Sequence, residues 1–448
     1  MKTRIIIKLS IIVLLIISCG RGSQNIVYVK HLIQEGKRIQ LEVYDSIQLE
    51  ETENVIINDI SNAEVDEKGN NLLITDNSGN LVVLYNYKTG KGKRFFMVTK
   101  DFSDFFVQTG CGIGPVEYLT GRKVVINSIK EQREELLKKG LNPNLAGSNF
   151  SNSVYTAKFV KDQINISALI HISCKTVDSL PEEICITNHP CLIIEDSILR
   201  FQYILPLRQN TNNYNIEGYC AARGHDFIYN EKNKKFYTTA KNEINDKFKI
   251  MDKLTSVMKY NDSCTKYETC AELPEEYLKS NLGYRLEWSP SLLYIEGSVY
   301  CAYPYSDFIY DITDEQKVIF KITNLPYDNV NTLEYLYNEK IESKKELPYN
   351  KLIDLFALRI WKLFPINNNI GIIVSSVIKN KKTKLPNYFF LQEYSTNGKL
   401  VNYTTIPFNN SNGLFRNVAY DRANSSIIIF RKHNNKGWIM EKAKWVKK

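Results

Sequence analysis

Short apolar segments separated by turn residues make up much of the chain from residue 61 onward. Residues 72–75 and 81–85 are two such segments, and Asn77-Ser78-Gly79-Asn80 lies between them. Apolar runs of about four to eight residues bounded by Gly, Asn, Asp or Ser predict β-strands joined by tight turns. The pattern returns downstream, at residues 93–98, 227–239, 370–376, 388–394 and 425–440. We therefore expect an antiparallel meander of strands.

An internal repeat indicates how these strands are grouped. Residues 219–229 (YCAARGHDFIY) recur 81 residues later as residues 300–310 (YCAYPYSDFIY), with seven of the eleven positions identical. Propeller repeats have periods of about 40–50 residues, so this offset corresponds to two blades, or to one blade with a long insertion. We predict an all-β protein with a β-propeller fold; a pair of β-sandwiches is the competing architecture.

The two ends of the chain carry patterns that would close such a ring. Residues 38–44 alternate polar and apolar side chains, and residues 425–445 form a hairpin close to the chain end. A propeller must join its ends, because an open array of strands leaves edges that can pair with other chains. We predict that the 38–44 strand pairs within the final blade, beside strands from residues 416–445.

One segment has a helical pattern. Ser128 and Glu131 fit a capping box, good helix formers follow, and Gly140 ends the run. We predict a short helical insertion near residues 128–139, packed outside the array of strands.

The N-terminus has the pattern of an export signal. Lys2 and Arg4 precede an apolar run over residues 5–17, which is too short to span a bilayer as a permanent helix. The run ends in Ser18-Cys19-Gly20 and resembles a bacterial lipobox, in which the cysteine is lipidated; an ordinary signal peptide with a chance cysteine is the alternative. We predict a lipoprotein signal peptide over residues 1–18, lipidation at Cys19, a tether over residues 19–37 and a propeller domain over residues 38–448.

Charge and composition then limit the partners. The formal net charge of +9 falls to about +6 when Lys2, Arg4 and Lys8 leave with the signal peptide. A basic chain often binds nucleic acid, but export separates this protein from nucleic acid, so we expect none. We expect the membrane as a partner, through the lipid on Cys19, with weak attraction to anionic lipid or glycan surfaces.

Two short motifs resemble a known family. Residues 110–118 (GCGIGPVEY) are similar to a Gly-x-Gly-Pro-Gly-Glu-Tyr segment of six-bladed β-propeller lipoproteins of Bacteroidetes, with Val116 in place of the last Gly, and residues 303–310 (YPYSDFIY) look like one of their blade segments. The resemblance implies six blades, with seven as the alternative, and a cell-envelope location, but no established activity. Such lipoproteins carry an acidic cluster after the lipidated cysteine when they are exported to the surface. Residues 20–24 lack one, which favours the periplasmic face of the outer membrane.

Eight cysteines follow Cys19, and an oxidising compartment allows them to pair. Cys264 and Cys270 bracket a polar loop, and Cys185 and Cys191 have the same spacing, with Asn188-His189-Pro190 expected as a turn between them. These two pairs are the candidate disulfides, although we favour buried free thiols over either pairing. Cys185, His189 and Cys191 could also serve as soft metal ligands, but no fourth ligand accompanies them, so we predict no metal site.

The repeat also supplies the candidate binding residues. Arg223 can bind an anion, His225 can transfer a proton, and Tyr303 and Tyr305 can stack on a sugar ring. Asp226 and Asp307 occupy matching repeat positions and complete the set, although Asp in turns commonly bonds neighbouring backbone. No nucleotide loop, zinc helix or nucleophile elbow occurs in the sequence, and we expect no cofactor.

Two hypotheses of function follow. The first is a lipid-anchored, non-enzymatic propeller that binds a glycan, a peptide or an envelope protein on one face. The second is a periplasmic hydrolase or lyase with its site at the propeller channel. The sequence contains no cluster of His, Asp and Glu residues, and it identifies no catalytic residue. We therefore favour the first hypothesis.

Overall fold

The structure is a computed structural model of the chain. It describes residues 37–97, 124–125, 153–176, 184–206, 226–239, 255–277, 289–322, 360–375 and 388–446, without residues 54, 265 and 276.

The described residues form 27 β-strands. In chain order these are β1 Lys37–Arg38, β2 Gln40–Gln48, β3 Asn62–Val65, β4 Asn71–Asp76, β5 Leu81–Asn86, β6 Gly92–Met97, β7 Val124–Val125, β8 Ser153–Val160, β9 Gln163–Thr176, β10 Ile184–Glu195, β11 Phe201–Pro206, β12 Phe227–Asn230, β13 Lys235–Thr239, β14 Thr255–Asn261, β15 Tyr267–Glu272, β16 Ser291–Ile295, β17 Ser298–Ala302, β18 Phe308–Asp311, β19 Lys317–Lys321, β20 Ile360–Ile366, β21 Asn369–Ser375, β22 Tyr388–Tyr394, β23 Leu400–Pro407, β24 Asn409–Asn410, β25 Gly413–Asp421, β26 Ser426–His433 and β27 Gly437–Val446.

The first hairpin shows how sequence and structure correspond. Strands β4 and β5 are apolar on both faces, and nearly all of their residues are buried. The turn between them is held by Asp76, whose carboxylate accepts hydrogen bonds from Ser78 Oγ (2.8 Å) and from the Gly79 N–H (3.0 Å). Asn80 then adopts a φ of 51°, a left-handed conformation that Asn tolerates well. Strands without a polar face require packing on both sides, as neighbouring blades provide.

The strands form six sheets, one per blade, in which all neighbours are antiparallel except β1 and β23. Blades 1, 3 and 4 are the consecutive sets β3–β6, β12–β15 and β16–β19. Blade 2 contains β8–β11, with β7 also paired to β9. Blades 5 and 6 contain β20–β23 and β24–β27, and they also receive β1 and β2, respectively.

The innermost strands of the six blades form a closed ring. Strands β3, β8, β12, β16, β20 and β25 contact one another in that order, and β25 returns to β3. The all-β, six-bladed propeller expected from the sequence is therefore confirmed. The β-sandwich alternative is wrong, because the sheets are arranged radially around one axis.

The hydrophobic core lies between the blades rather than at the axis. One cluster joins blade 6 to blade 1, where Trp438, Phe430 and Met440 pack against Leu72 and Ile74. Trp438 is fully buried, and its indole N–H donates to the Ile57 carbonyl at 2.8 Å. Similar clusters join blade 2 to 3, 3 to 4, 4 to 5 and 5 to 6.

The N-terminal strand closes the ring, as the sequence predicts. Strand β2 pairs antiparallel with β27, with Leu41 opposite Trp445 and Gln48 opposite Ile439. Strand β1 pairs in parallel with β23 of blade 5. Of the apolar residues that alternate along this segment, Ile39 is buried and Leu41 is half-buried, but Val43 is 43% exposed beside a register shift in the strand.

Several predicted features lie outside the described residues. They are the signal peptide, Cys19, most of the tether, the GCGIGPVEY motif and the helical insertion at 128–139. In the part of the chain that the structure describes, no helix has the length and apolar character needed to cross a membrane.

Candidate functional site

Polar side chains from four inner strands, and from Asp226 just before a fifth, meet near the axis of the propeller. Two of these side chains, Lys158 in YTAKFV and Lys362 in IWKLFPI, are the single charged residues of otherwise apolar strand segments. Because side chains alternate between the two faces of a strand, each lysine can lie on the channel side. We call this set the axial cluster; its members are Asn62, Glu64, Lys158, Asp226, Lys362 and Asn417.

Lys362 is the most fully coordinated member of the axial cluster. Its Nζ donates to Asn62 Oδ1 (3.0 Å), Asn417 Oδ1 (3.1 Å) and the Val418 carbonyl (2.9 Å). These three acceptors use all three N–H groups of an ammonium. Burial lowers the pKa of Lys362 to about 8, with a further lowering from Lys158. The side chain therefore links blade 5 to blades 1 and 6 and has no lone pair available for nucleophilic attack while it is protonated.

Lys158 and Asp226 form an ion pair across blades 2 and 3. Lys158 Nζ lies 2.5 Å from Asp226 Oδ1, and both side chains are mostly buried. The other carboxylate oxygen, Oδ2, accepts from the Leu292 N–H of blade 4 at 3.0 Å. Both oxygens of Asp226 are thus engaged by the protein.

Glu64 has a different environment from Asp226. Its Oε2 accepts from the Phe159 N–H at 2.8 Å. Burial raises the pKa of Glu64, although Lys158 and the hydrogen bond from Phe159 act in the opposite direction. The axial cluster therefore contains one ion-paired carboxylate and one that burial makes easier to protonate.

Two cavities open from the axial cluster, and both contact Asn62, Lys158, Leu292, Lys362 and Leu363. The smaller, of about 270 Å³, lies where the inner strands begin; we call it the Trp361 mouth. The larger, of about 720 Å³, lies where they end; we call it the Tyr229 mouth.

Two side chains that line the Tyr229 mouth, Tyr229 and Lys161, contact Asp262 and each other. Tyr229 Oη donates to Asp262 Oδ1 at 2.8 Å. Lys161 Nζ lies 4.8 Å from the centre of the Tyr229 ring and 3.8 Å from the same carboxylate oxygen. These contacts engage the Tyr229 hydroxyl and the Lys161 ammonium within the protein.

The Trp361 mouth includes an exposed aromatic ring in its lining. Trp361 is 41% exposed, and its ring packs edge-on against Phe389 at 4.9 Å between centroids. Thr156 lines the same cavity and is only 3% exposed, yet its Oγ1 has no hydrogen-bond partner among the described residues. Arg416 also lines it, and its Nε is likewise buried and unpaired within the described part of the chain. Two residues with an unpaired buried donor and one exposed aromatic ring thus belong to the lining of one small cavity.

Of the binding residues proposed from the sequence, the structure places Asp226 in the axial cluster. Arg223 and His225 lie outside the described residues. Tyr303 is fully buried, donates to the Glu272 carbonyl at 2.9 Å and packs against Tyr277. Tyr305 is 7% exposed in the same cluster. Neither ring offers a face to a sugar, so the expected stacking role is wrong for both.

The repeat does not mark equivalent positions of two blades. Asp226 precedes β12, the first strand of blade 3, whereas Asp307 precedes β18, the third strand of blade 4. Asp307 is 2% exposed and packed away from the channel, with Lys321 Nζ 3.9 Å from its Oδ2. In both copies the sequence DFIY leads into a strand, but that strand is the first of its blade in one copy and the third in the other.

Neither candidate disulfide is present. Cys264 and Cys270 are free thiols that pack in different clusters, and Cys270 Sγ donates to the Ile312 carbonyl at 2.9 Å. Burial raises the pKa of each to about 12, so both remain protonated. Cys185 and Cys191 lie in one continuous strand, β10, without the expected turn. Six residues of strand separate them by about 20 Å, far beyond the reach of a disulfide.

Sequence reasoning missed Trp361, Thr156 and Arg416, and it also missed the lysines of the axial cluster. Lys158 and Lys362 could have been found from the sequence, because each is a lone lysine inside an apolar strand segment. In the described residues, no group of His, Cys, Asp and Glu is arranged to hold a metal ion.

Comparisons with known proteins bear on the fold. No protein-family model and no curated protein matches the sequence. A solved structure of a DUF4221 family member from Bacteroides vulgatus is similar, with a TM-score of 0.53, 8% identity, and coverage of 92% of this chain and 99% of that one. A candidate exported protein from Bacteroides fragilis gives a TM-score of 0.47 at 10% identity, with coverage of 92% and 99%. The likeness to the Bacteroides vulgatus structure is one of fold alone.

Proposed function

We propose that the mature protein is a lipid-anchored β-propeller of the cell envelope that binds a glycan at the Trp361 mouth and does not turn it over. The lipid on Cys19 would hold it to the outer membrane on the periplasmic side. The signal segment and the lipobox-like Ser18-Cys19-Gly20 support the location.

The residues that line the Trp361 mouth are the main support for glycan binding. An exposed aromatic ring can cover the apolar face of a sugar, and sugar hydroxyls can accept from the unpaired donors of Thr156 and Arg416. A buried donor without a partner costs about 1–3 kcal/mol, so a ligand that supplies an acceptor recovers this cost on binding. The cavity of about 270 Å³ is at the small end for ligand pockets and fits a sugar residue better than a folded protein surface.

Glycan binding can be tested with the chain from residue 20 onward. Binding to a panel of envelope and host glycans is expected, and Trp361→Ala should weaken it at least tenfold. Tyr44→Ala is the matched control, since Tyr44 is 50% exposed on the closing strand of blade 6. Binding of envelope peptides with no glycan bound would contradict the proposal, as would equal affinity of the Trp361→Ala variant.

The axial cluster favours one alternative, a hydrolase or lyase at the channel. Two carboxylates in different environments can serve as acid and base: burial raises the pKa of Glu64, whereas Asp226 is ion-paired with Lys158. If the bound glycan is cleaved, Glu64→Gln should abolish the cleavage and leave binding intact. Intact glycan after prolonged incubation supports the binding function.

Lipid anchoring has its own test. Cys19→Ser removes the thiol that an acyl thioether needs, so we expect this variant in the soluble fraction or as an unprocessed precursor. The wild-type chain should partition with the membrane fraction. Normal membrane partitioning of the variant contradicts the anchor.

A further inference from the structure

Strands β9 and β10 form a long hairpin with an unbroken register. Twelve consecutive residue pairs join them, from Ile164 opposite Glu195 to Lys175 opposite Ile184, and no bulge interrupts the ladder. Cys174 and Cys185 occupy directly opposed positions in this ladder.

The register is fixed at the buried end of the hairpin. Ile164, Ile166 and Ile193 are fully buried there. A slip of one residue would turn these side chains toward the opposite face of the sheet, which a packed blade does not tolerate. Because the ladder continues without a shift, the same register places Cys174 opposite Cys185.

We propose that Cys174 and Cys185 form a cross-strand disulfide in the exported protein. Opposed residues of antiparallel strands have Cα atoms about 4.5–5.5 Å apart, within the range of about 4.4–6.8 Å that disulfides require. The register places Cys191 opposite Ala168 instead. Cys191 is therefore not the partner of either cysteine.

The position of the pair gives the bond a structural role. Strand β8 pairs with β9 only as far as Leu169, and β11 pairs with β10 only from Cys191 onward, while the short strand β7 pairs with β9 at Lys175 and Thr176. The two cysteines thus lie where the hairpin extends beyond β8 and β11. A bond between them would hold the two strands together where those neighbours no longer support them.

The chemistry is thiol–disulfide exchange. Two S–H bonds break and one S–S bond forms, and the two electrons pass to the disulfide of an oxidoreductase in the export compartment, which becomes a dithiol and takes up the two protons. The inference rests on export, which is part of the proposed function.

Peptide mapping of native protein from the envelope fraction tests this inference. Free thiols are alkylated without reduction, and the chain is cut with trypsin. Lys175 lies between the two cysteines, so cleavage leaves them on separate peptides unless a disulfide joins them. We expect a joined pair of peptides covering residues 162–175 and 176–200, which separates after reduction.

Matched variants identify the cysteine involved, because Cys185 and Cys191 share one tryptic peptide. Cys191→Ser should keep the joined pair, and Cys185→Ser should lose it. Alkylated Cys174 and Cys185 in envelope protein overturn the disulfide and leave export intact. Recovery of the wild-type chain only in the cytoplasm overturns export and the disulfide together. A bond from Cys174 to any other cysteine overturns the pairing.

Discussion

At the scale of single residues, buried charges determine how the propeller responds to pH. Lys362 holds its charge through three neutral acceptors rather than a direct carboxylate contact. Burial outweighs these contacts and the attraction of Asp226 and Glu64, and lowers its pKa from 10.5 to about 8. The folded state therefore releases this proton more readily than the unfolded state.

Lys362 should make stability rise with pH between about 8 and 10.5. In that window the unfolded state binds more protons than the folded one, so the free energy of unfolding increases with pH. Its contribution is constant below pH 8, where both states are protonated. The shift corresponds to about 3 kcal/mol. Urea unfolding of wild type and Lys362→Met from pH 7 to 10.5 measures it, and parallel pH curves for the two proteins contradict it.

A second buried charge pair lies inside blade 6. Arg431 and Glu441 are 2% and 1% exposed, with Arg431 Nε 2.8 Å from Glu441 Oε2. Arg431→Ala leaves an uncompensated buried carboxylate and should cost about 3–5 kcal/mol. Replacing both residues, by Arg431→Met with Glu441→Leu, should restore most of this loss. Denaturant unfolding distinguishes the two variants, and an unchanged midpoint for Arg431→Ala would show that the pair is not essential.

At the scale of elements, the closing strand β2 completes blade 6 and covers the outer edge of β27. Deletion of residues 20–48 exposes this edge and removes the buried Ile39. A fully buried apolar side chain contributes about 1.5–3 kcal/mol, and typical domains have about 5–15 kcal/mol in total. We expect a large drop in thermal midpoint and aggregation through the free edge.

Deletion of residues 20–36 is the control for the closing strand. It removes most of the tether and keeps β1 and β2, so the thermal midpoint should not change. Equal midpoints for the two deletions would mean that β2 is only a spacer.

Strands and ring closure could be predicted because each depends on a local pattern. The alternation in residues 38–44 and the turn at Asp76 follow from neighbours in sequence. The site depends on distant residues: Lys362 binds Asn62, 300 positions away. The repeat wrongly predicted equivalent positions on two blades, because DFIY leads into strands of different order within their blades. The Cys185–Cys191 spacing wrongly predicted a disulfide, because β10 continues through the expected turn.

At the scale of the whole molecule, six blades combine an apolar core between sheets with a polar axis. Lys158, Asp226 and Lys362 join blades around that axis with nearly all of their polar groups engaged. The unpaired donors of Thr156 and Arg416 at the Trp361 mouth stand apart from this pattern. An unsatisfied donor costs stability, and a binding site is where a protein tolerates that cost.

Thr156→Val is the most direct test of glycan binding at the Trp361 mouth. Valine has nearly the shape of threonine without the hydroxyl, so the unliganded variant should unfold at a higher temperature than wild type. The lost hydrogen bond should weaken glycan binding about threefold to tenfold. Calorimetric titration and thermal unfolding of the two proteins give both values. Higher stability with lower affinity is the predicted result, and unchanged affinity for the glycan contradicts a binding site at this mouth.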